Sequence, residues 1–202
     1  MPDQGDTGVA TPAANRITAH LAATFAGLPV YIYAIEHADG LVLVDTGMID
    51  STPALEEEWD IRFDPDAIPR DVVCVINTHL HFDHCGGNRL FPGVPIHVQR
   101  AERAAAKAPD YIEEWVDFDG ATYVEHDGEA EILPGVRVLP TPGHSPGHQS
   151  VLVETDDGLV VVAGDVGYTW REFERSESGQ ALMALGPRRI WLAHQAEPRD
   201  AA

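Results

Sequence analysis

The chain has 202 residues, of which 44% are hydrophobic, and it carries a formal net charge of −20 at pH 7. This length suffices for a substantial core, and we predict one domain over residues 16–202 after a polar, disordered tail over residues 1–15. The negative charge would repel a phosphate backbone, which argues against a nucleic-acid partner.

The start of the chain lacks the basic and apolar regions of a secretory signal, and no apolar run reaches bilayer length. We therefore expect a cytoplasmic protein with no membrane association. The two cysteines, Cys74 and Cys85, are too few for a disulfide framework and fit a reducing compartment. Both are expected to be inert, buried small residues. The sequence leaves the oligomeric state open.

The first half of the chain mixes strand and helix patterns. The stretch LPVYIYAIEHADGLVLVDTG predicts a hairpin that turns at HADG and whose second strand ends at Asp45. TPALEEEWD predicts a short helix with Pro53 in its first turn. DVVCVINT is a continuous apolar run, as expected of a strand covered on both faces, and QRAERAAAKA is helical by propensity.

The second half of the chain is richer in strands. VPIHV, VRVLPTP and RRIWLAH predict single strands, and QSVLVETDDGLVVVAGD predicts a hairpin with an Asp-Asp-Gly turn. SGQALMALG predicts a short helix with Gly186 after its end. A majority of strands with interspersed helices favours layered sheets covered by helices.

Histidine and aspartate side chains stand at the ends of four predicted strands, in VINTHLHFDH, VLPTPGHS, VVVAGD and IWLAH. If these strand ends lie together, seven side chains converge at one edge of the fold: His79, His81, Asp83, His84, His144, Asp165 and His194. Seven donors are too many for one tetrahedral ion and suffice for two ions that share a bridging carboxylate. Imidazole and carboxylate ligands favour zinc, with iron, manganese or cobalt as alternatives.

The spacing within HLHFDHCGGN has a mechanical reason. Residues two apart in extended chain point the same way, so His79 and His81 can bind one ion. Asp83 and His84 can turn to a second ion as the chain enters a helix that we expect to open at GGN. Glycines at this position permit a close approach that side chains would obstruct.

The other histidines are expected to have no part in metal binding. A lone histidine is more often a surface or hydrogen-bonded core residue than a ligand. We interpret four of them in this way: His20, His37, His97 and His126. His148 precedes a predicted strand and is expected to have a structural or supporting role.

These motifs resemble those of the metallo-β-lactamase superfamily and, within it, those of the N-acyl-homoserine lactonases. The shared segments are LVLVDTG, THLHFDHCGG, TPGHSPGH, AGD and LAH, in the family's order over roughly residues 28–195. The resemblance implies an α+β fold, a four-layer αββα sandwich. It also implies that Asp45 supports the metal-binding loop from behind the ligands.

The resemblance assigns the seven candidate ligands to two divalent metal ions. One ion is implied to be held by His79, His81 and His144, and the other by Asp83, His84 and His194. Asp165 is implied to bridge the two ions.

The lactonase branch is favoured by LPVYIY, PGVRVLPTPGHSPGHQS and DVGY. Tyr168 matches the tyrosine that in these lactonases faces the substrate carbonyl. Asp83 is implied to exchange a proton with the attacking water, and Phe82 is expected to form an apolar wall for the substrate. The expected reaction is the opening of a small neutral lactone, such as an N-acyl-homoserine lactone, by a dinuclear-metal hydrolase of the quorum-quenching type.

Two alternatives stay open at this point. The first is thioester hydrolysis of the glyoxalase II kind, which uses the same ligands. The second is a lactonase for another small lactone. β-Lactam hydrolysis is disfavoured, because Asp165 stands where those enzymes lack a bridging carboxylate. A non-catalytic metal-binding module is disfavoured, because it predicts missing ligands and none is missing.

Overall fold

The computed structural model describes residues 15–200, in which thirteen strands form two β-sheets. The strands of the first sheet are β1 (Arg16–Phe25), β2 (Leu28–His37), β3 (Gly40–Val44), β4 (Ile61–Phe63), β5 (Cys74–Ile76), β6 (Pro95–Gln99) and β7 (Thr122–His126). The strands of the second sheet are β8 (Ala130–Leu133), β9 (Val136–Pro140), β10 (Gln149–Thr155), β11 (Gly158–Val162), β12 (Arg189–Trp191) and β13 (Arg199–Asp200). The strand orders are β4-β1-β2-β3-β5-β6-β7 and β13-β12-β11-β10-β9-β8.

Short helices connect the strands. The α-helices are α1 (Pro53–Glu58), α2 (Phe82–Cys85), α3 (Arg100–Ala105), α4 (Glu113–Val116), α5 (Trp170–Arg175) and α6 (Glu177–Ala184). Two 3-10 helices cover Pro65–Ala67 and Asn88–Leu90. No helix within residues 15–200 is long and apolar enough to cross a membrane.

Alternating side chains on the strands build a core between the two sheets. Tyr33 of β2 and Val151 of β10 belong to one buried cluster that joins both sheets. Their neighbours Ile32 and Leu152 point the other way and belong to the clusters on the two outer faces. Because both faces of each sheet are apolar, both faces need cover. The chain is therefore an α+β sandwich of the αββα kind, as predicted.

The last two helices cover the outer face of the second sheet. Phe173 of α5 and Leu182 of α6 are buried against this face. Helix α5 starts with a capping box, in which Thr169 and Glu172 each accept a hydrogen bond from the other's backbone N–H. The connection between β11 and β12 is thus a firmly packed helical pair.

Parallel pairing brings several strand ends to the same edge. Strands β3, β5 and β6 are parallel neighbours in the first sheet, and β11 and β12 are parallel neighbours in the second. The carboxyl ends of parallel strands lie at one edge of a sheet, so the loops that follow them meet there. This edge holds the candidate metal ligands.

Most predicted elements are present, with shorter bounds. The HADG hairpin joins β2 and β3, and Thr52 caps α1 ahead of Pro53. The run DVVCVINT forms only the three-residue strand β5. The sequence did not indicate β1, whose burial is irregular and whose pairing shifts register between Leu21 and Ala23. Such a break obscures the two-residue period of a strand.

The predicted tail falls mainly on residues 1–14, which lie outside the described residues. Asn15 is described and is 4% exposed. Its side-chain amide donates a 2.9 Å hydrogen bond to the carbonyl oxygen of Glu154. The domain therefore includes Asn15, and the tail over the residues before it stays a prediction.

The packing of α6 predicts different results for two neighbouring substitutions. Leu182 is 0% exposed and Met183 is 39% exposed. Leu182→Ala removes buried methyl groups and leaves a cavity, so we expect it to lower the free energy of unfolding by about 2 to 5 kcal/mol. Met183→Ala is the matched control and should change it by less than about 0.5 kcal/mol. Chemical denaturation measures both, and equal losses would contradict the placement of α6.

Candidate metal centre and active site

The loops at the shared edge bring all seven predicted ligands together. Their nitrogen and oxygen atoms form overlapping groups in which all donor atoms lie within 4.8 Å of one another. We call His79, His81 and His144 the first donor group. We call Asp83, His84 and His194 the second donor group. Asp165 forms a further such group with one member of each, His79 and His84.

The imidazoles of the first donor group face one another through their nitrogens. His81 Nδ1 lies 2.9 Å from His144 Nε2, which lies 3.1 Å from His79 Nε2. At most one nitrogen of each pair can carry the proton of a hydrogen bond, so lone pairs converge on this point. A cation held between the three rings would satisfy all of them.

Asp165 contacts both donor groups. Its Oδ1 lies 3.4 Å from His84 Nε2, and its Oδ2 lies 3.2 Å from His194 Nε2 and 3.5 Å from His144 Nε2. Asp83 Oδ2 lies 3.3 Å from His84 Nε2. The carboxylate of Asp165 therefore lies between the two groups, where a bridging ligand is expected.

In His84 and His194 the second ring nitrogen fixes how the ring is turned. His84 Nδ1 lies 2.8 Å from Asp45 Oδ2, and His194 Nδ1 lies 2.7 Å from the carbonyl oxygen of Pro29. Each contact holds the opposite nitrogen, Nε2, toward the donor groups. Hydrogen bonds of this kind orient histidine ligands in metal sites.

Asp45 lies behind the candidate ligands and contacts His84 of the second donor group. Its support of a metal-binding loop stays a prediction. It is 1% exposed and has a left-handed backbone with φ of 58°. Its Oδ1 accepts from the Thr78 N–H at 2.7 Å, and its Oδ2 accepts from the Thr78 hydroxyl at 2.8 Å. Together with the contact to His84, these bonds tie the end of β3 to the loop after β5.

His148 has a structural role, and it acts on Asp165. Its Nε2 accepts a 3.0 Å hydrogen bond from the backbone N–H of Asp165. Its Nδ1 lies 3.1 Å from the carbonyl oxygen of Thr141, to which it donates. Burial lowers the pKa of His148 to about 3, so the ring stays neutral. A Cβ on Gly164 would lie 2.8 Å from His148 Nε2, which explains the glycine before Asp165.

Burial and neighbouring charges set the protonation of the ligands. Burial lowers the pKa of His79 well below its ordinary value, which favours the neutral form that binds metals. Burial also lowers the pKa of His84, but the carboxylates of Asp83, Asp165 and Asp45 outweigh it and raise that pKa. Three buried carboxylates around one imidazole give this site a negative charge that favours binding of a cation.

Two buried atoms show that a metal fits this donor set. His84 Nε2 and Asp165 Oδ1 have no hydrogen-bond partner among residues 15–200. Buried polar atoms without partners are unfavourable and rare in native structures. Both atoms point into the junction of the donor groups, where a divalent cation would bind them. The donor chemistry, imidazole with carboxylate, suits such an ion.

The loop after β5 corrects one detail of the prediction. The helix begins at Phe82, so Asp83 and His84 lie in α2 itself and not before a helix opened by GGN. The predicted close approach at the glycines is present, because a Cβ on Gly87 would lie 2.3 Å from the carbonyl oxygen of Thr46. The glycines bring α2 against the loop after β3.

Phe82 and Tyr168 flank the donor groups. The ring of Phe82 is half-buried and packs edge-on against Phe25 at 5.6 Å. The Tyr168 ring lies 5.6 Å from the ring of His144 and 5.0 Å from that of His194. Tyr168 is 38% exposed and borders a cavity of about 360 Å³ that also reaches Asp165.

Neither cysteine is a reactive thiol. Cys85 is buried, its Sγ donates to the carbonyl oxygen of Leu80 at 3.2 Å, and burial raises its pKa. Cys74 packs in the core between the sheets. His97 and His126 stack at 5.2 Å with 3.0 Å between Nδ1 and Nε2, away from the donor groups.

Sequence reasoning missed one buried residue beside the site, Glu102. The residue types of its segment predict a helix and indicate no role at the site. Its carboxylate accepts hydrogen bonds from both the loop of His79 and His81 and the loop of His144. The partners are distant in the sequence, so no local pattern indicates this role.

Comparison with known proteins identifies the family of the chain. The family model of the metallo-beta-lactamase superfamily matches residues 26–194. An N-acyl homoserine lactonase of Bacillus cereus is 40% identical over 169 residues, which are 73% of this chain and 67% of that protein. A probable metallo-hydrolase of Mycobacterium bovis is 34% identical over 177 residues, 68% of this chain and 56% of that protein.

Solved structures give the same result. An N-acyl homoserine lactone hydrolase, with its product N-hexanoyl-L-homoserine bound at the catalytic metal centre, matches with a TM-score of 0.79 and 28% identity. The match covers 92% of this chain and 94% of the other. The chain therefore belongs to the metallo-β-lactamase superfamily and is a metal-dependent hydrolase.

Proposed function

We propose that the protein is a dinuclear-metal lactonase that opens the ring of N-acyl-homoserine lactones. The observation that carries the proposal is the position of Tyr168, whose ring lies against one histidine of each donor group. The similarity to N-acyl homoserine lactonases supports it. Such an activity would quench bacterial quorum signals, and we expect it in the cytoplasm without a nucleic-acid partner.

The seven ligands would hold two divalent ions, with zinc favoured by their chemistry. The first donor group would hold one ion, the second donor group the other, and Asp165 would bridge them. When bound, the ions supply a polarising charge for a carbonyl oxygen and lower the pKa of a bound water. The protein then has to orient the lactone, exclude bulk water and move one proton.

Tyr168 provides a hydrogen bond to the lactone carbonyl in this proposal. Burial raises the pKa of its phenol to about 12, with the charges of Asp165 and Asp83 adding to the effect. The hydroxyl is therefore protonated near neutral pH and can donate. The backbone carbonyl of Tyr168 accepts a 2.6 Å hydrogen bond from Gln195 Nε2, and Thr169 caps α5 directly after it. Both contacts hold the backbone from which the phenol projects.

Asp83 moves the proton in this proposal. Its Oδ2 faces the imidazoles of His84 and His194, at 3.3 and 3.5 Å. We assign to Oδ1 the proton of the attacking water as that water adds to the carbonyl carbon. The bond between this carbon and the ring oxygen then breaks, and Asp83 returns the proton to the ring oxygen. The product is an open hydroxy acid, and every atom of the water is accounted for.

The surroundings of the site favour a neutral substrate with an apolar part. Phe82 offers an apolar surface next to the second donor group. The cavity beside Tyr168 is lined by Glu172 and Glu177, and none of its lining residues is lysine or arginine. An anionic acyl group would gain no ion pair there. We therefore propose a neutral lactone as the substrate.

Turnover of matched substrates tests the proposed function. We expect zinc-loaded protein to hydrolyse N-hexanoyl-homoserine lactone with a kcat/KM at least about tenfold above that for glutathione thioesters, a difference of about 1.4 kcal/mol in transition-state binding. A pH-indicator assay follows acid release from both. Faster turnover of thioesters would favour the glyoxalase II alternative, and turnover of simple lactones alone would indicate a different small lactone.

Replacing Tyr168 tests its role in orienting the carbonyl. Tyr168→Phe should lower kcat by roughly tenfold to a hundredfold, because a metal ion shares stabilisation of the same oxygen. Its metal content should not change, since the phenol is not a ligand in this proposal. Tyr123→Phe is the matched control, because its hydroxyl donates to the carbonyl of Val116 outside the site. Equal kcat for wild type and Tyr168→Phe would remove Tyr168 from the mechanism.

A further inference from the structure

Glu102 is a fully buried carboxylate at the start of α3. It is 0% exposed, and its ion-pairing neighbours in the sequence, Arg100 and Arg103, contact other acidic residues instead. Burying an ionisable group is costly unless hydrogen bonds satisfy it. The residues that donate hydrogen bonds to Glu102 therefore indicate its role.

Four donors surround the two oxygens of Glu102. Oε1 accepts from the Leu80 N–H and the Tyr111 hydroxyl, both at 2.9 Å. Oε2 accepts from the Ser145 hydroxyl at 2.6 Å and from the Gly147 N–H at 3.0 Å. Each carboxylate oxygen of Glu102 therefore accepts two hydrogen bonds from residues around the site.

These donors lie next to the ligands of the first donor group. Leu80 stands between His79 and His81, and Ser145 follows His144. The Tyr111 ring lies 4.8 Å from the His81 ring. Glu102 therefore holds two ligand-bearing loops together, although they are more than sixty residues apart in the chain.

The packing of the second loop shows the same close fit. A Cβ on Gly147 would lie 2.0 Å from the backbone nitrogen of Glu102. Only glycine allows the loop to come this close to α3. A separate bond, from the Gln149 N–H to the carbonyl of Thr78 at 2.8 Å, joins the bases of the loops. Glu102 joins their tips, where the imidazoles meet.

The chemistry of the donors requires a carboxylate and not an amide. Each oxygen of Glu102 accepts from one backbone N–H, and a backbone N–H cannot reverse its role. In Glu102→Gln, the side-chain NH₂ must face either the Leu80 N–H or the Gly147 N–H. Two donors would then oppose each other in a buried space, and one loop would have to move.

We propose that Glu102 is a positioning residue that holds His79, His81 and His144 in the geometry of the first metal ion. This inference rests on the proposed metal-binding function. It concerns the first donor group, because the donors Leu80 and Ser145 directly adjoin the histidines of that group in the chain. None of the four residues that donate to Glu102 adjoins Asp83, His84 or His194.

Zinc affinity of the two sites tests this role. We propose to titrate metal-free wild type, Glu102→Gln and Ser145→Ala with zinc against a chromophoric chelator. Glu102→Gln should lower the affinity for one of the two zinc ions about tenfold to hundredfold and leave the affinity for the other unchanged. This is the usual scale for residues that orient metal ligands. Ser145→Ala removes one donor and should weaken the same ion by a smaller factor. This milder variant covers the case in which Glu102→Gln fails to fold.

A matched control separates positioning from general destabilisation. Glu131→Gln makes the same chemical change at a glutamate that accepts from the Gly135 N–H, away from the donor groups. It should leave both zinc affinities unchanged. Wild-type zinc affinities in both Glu102→Gln and Ser145→Ala would overturn the inference, while lactone turnover by wild type would leave the proposed function standing. Failure of wild type to bind zinc would overturn both.

Discussion

Buried nitrogen and oxygen atoms need bonding partners, and this requirement determines the arrangement of the candidate metal ligands. The atoms that face away from the junction have protein partners, such as His84 Nδ1 with Asp45 and His194 Nδ1 with Pro29. Two of the atoms that face inward do not: His84 Nε2 and Asp165 Oδ1 are without hydrogen bonds among residues 15–200. Divalent cations would complete the bonding that the protein leaves open, so metal binding and the stability of the loops are coupled.

The sandwich fold places the candidate ligands on several loops and brings these loops together at one edge. Parallel pairs of strands deliver the loops to one edge, while a core between the sheets, including Tyr33 and Val151, fixes the distance between the two halves. A layer of hydrogen bonds behind the ligands then sets their orientation. Asp45 acts on the second donor group, His148 on the backbone of Asp165, and Glu102 on the loops of the first donor group. The orientation of the ligands thus depends on these hydrogen bonds, and the hydrogen bonds depend on how the strands place the loops.

The sequence predicted the layered fold and the seven converging side chains, because strand-terminal histidines and aspartates are a local pattern. Contacts between distant segments were harder to predict. Glu102 looked like part of an ordinary helix, since nothing nearby in the sequence shows that Leu80 and Gly147 donate to it. The helix at Phe82 was placed too late, because the glycines that looked like its start serve a close contact with the loop after β3. Strand β1 was missed because its register shift hides the period of two.

The central claim is that the two donor groups each hold one metal ion and share Asp165. Anomalous diffraction from crystals grown with zinc measures this most directly, because it locates the ions independently of the protein atoms. The account predicts two zinc peaks, one in each donor group, with a carboxylate oxygen of Asp165 bound to each ion. A single peak, or two peaks of which only one contacts Asp165, would contradict it.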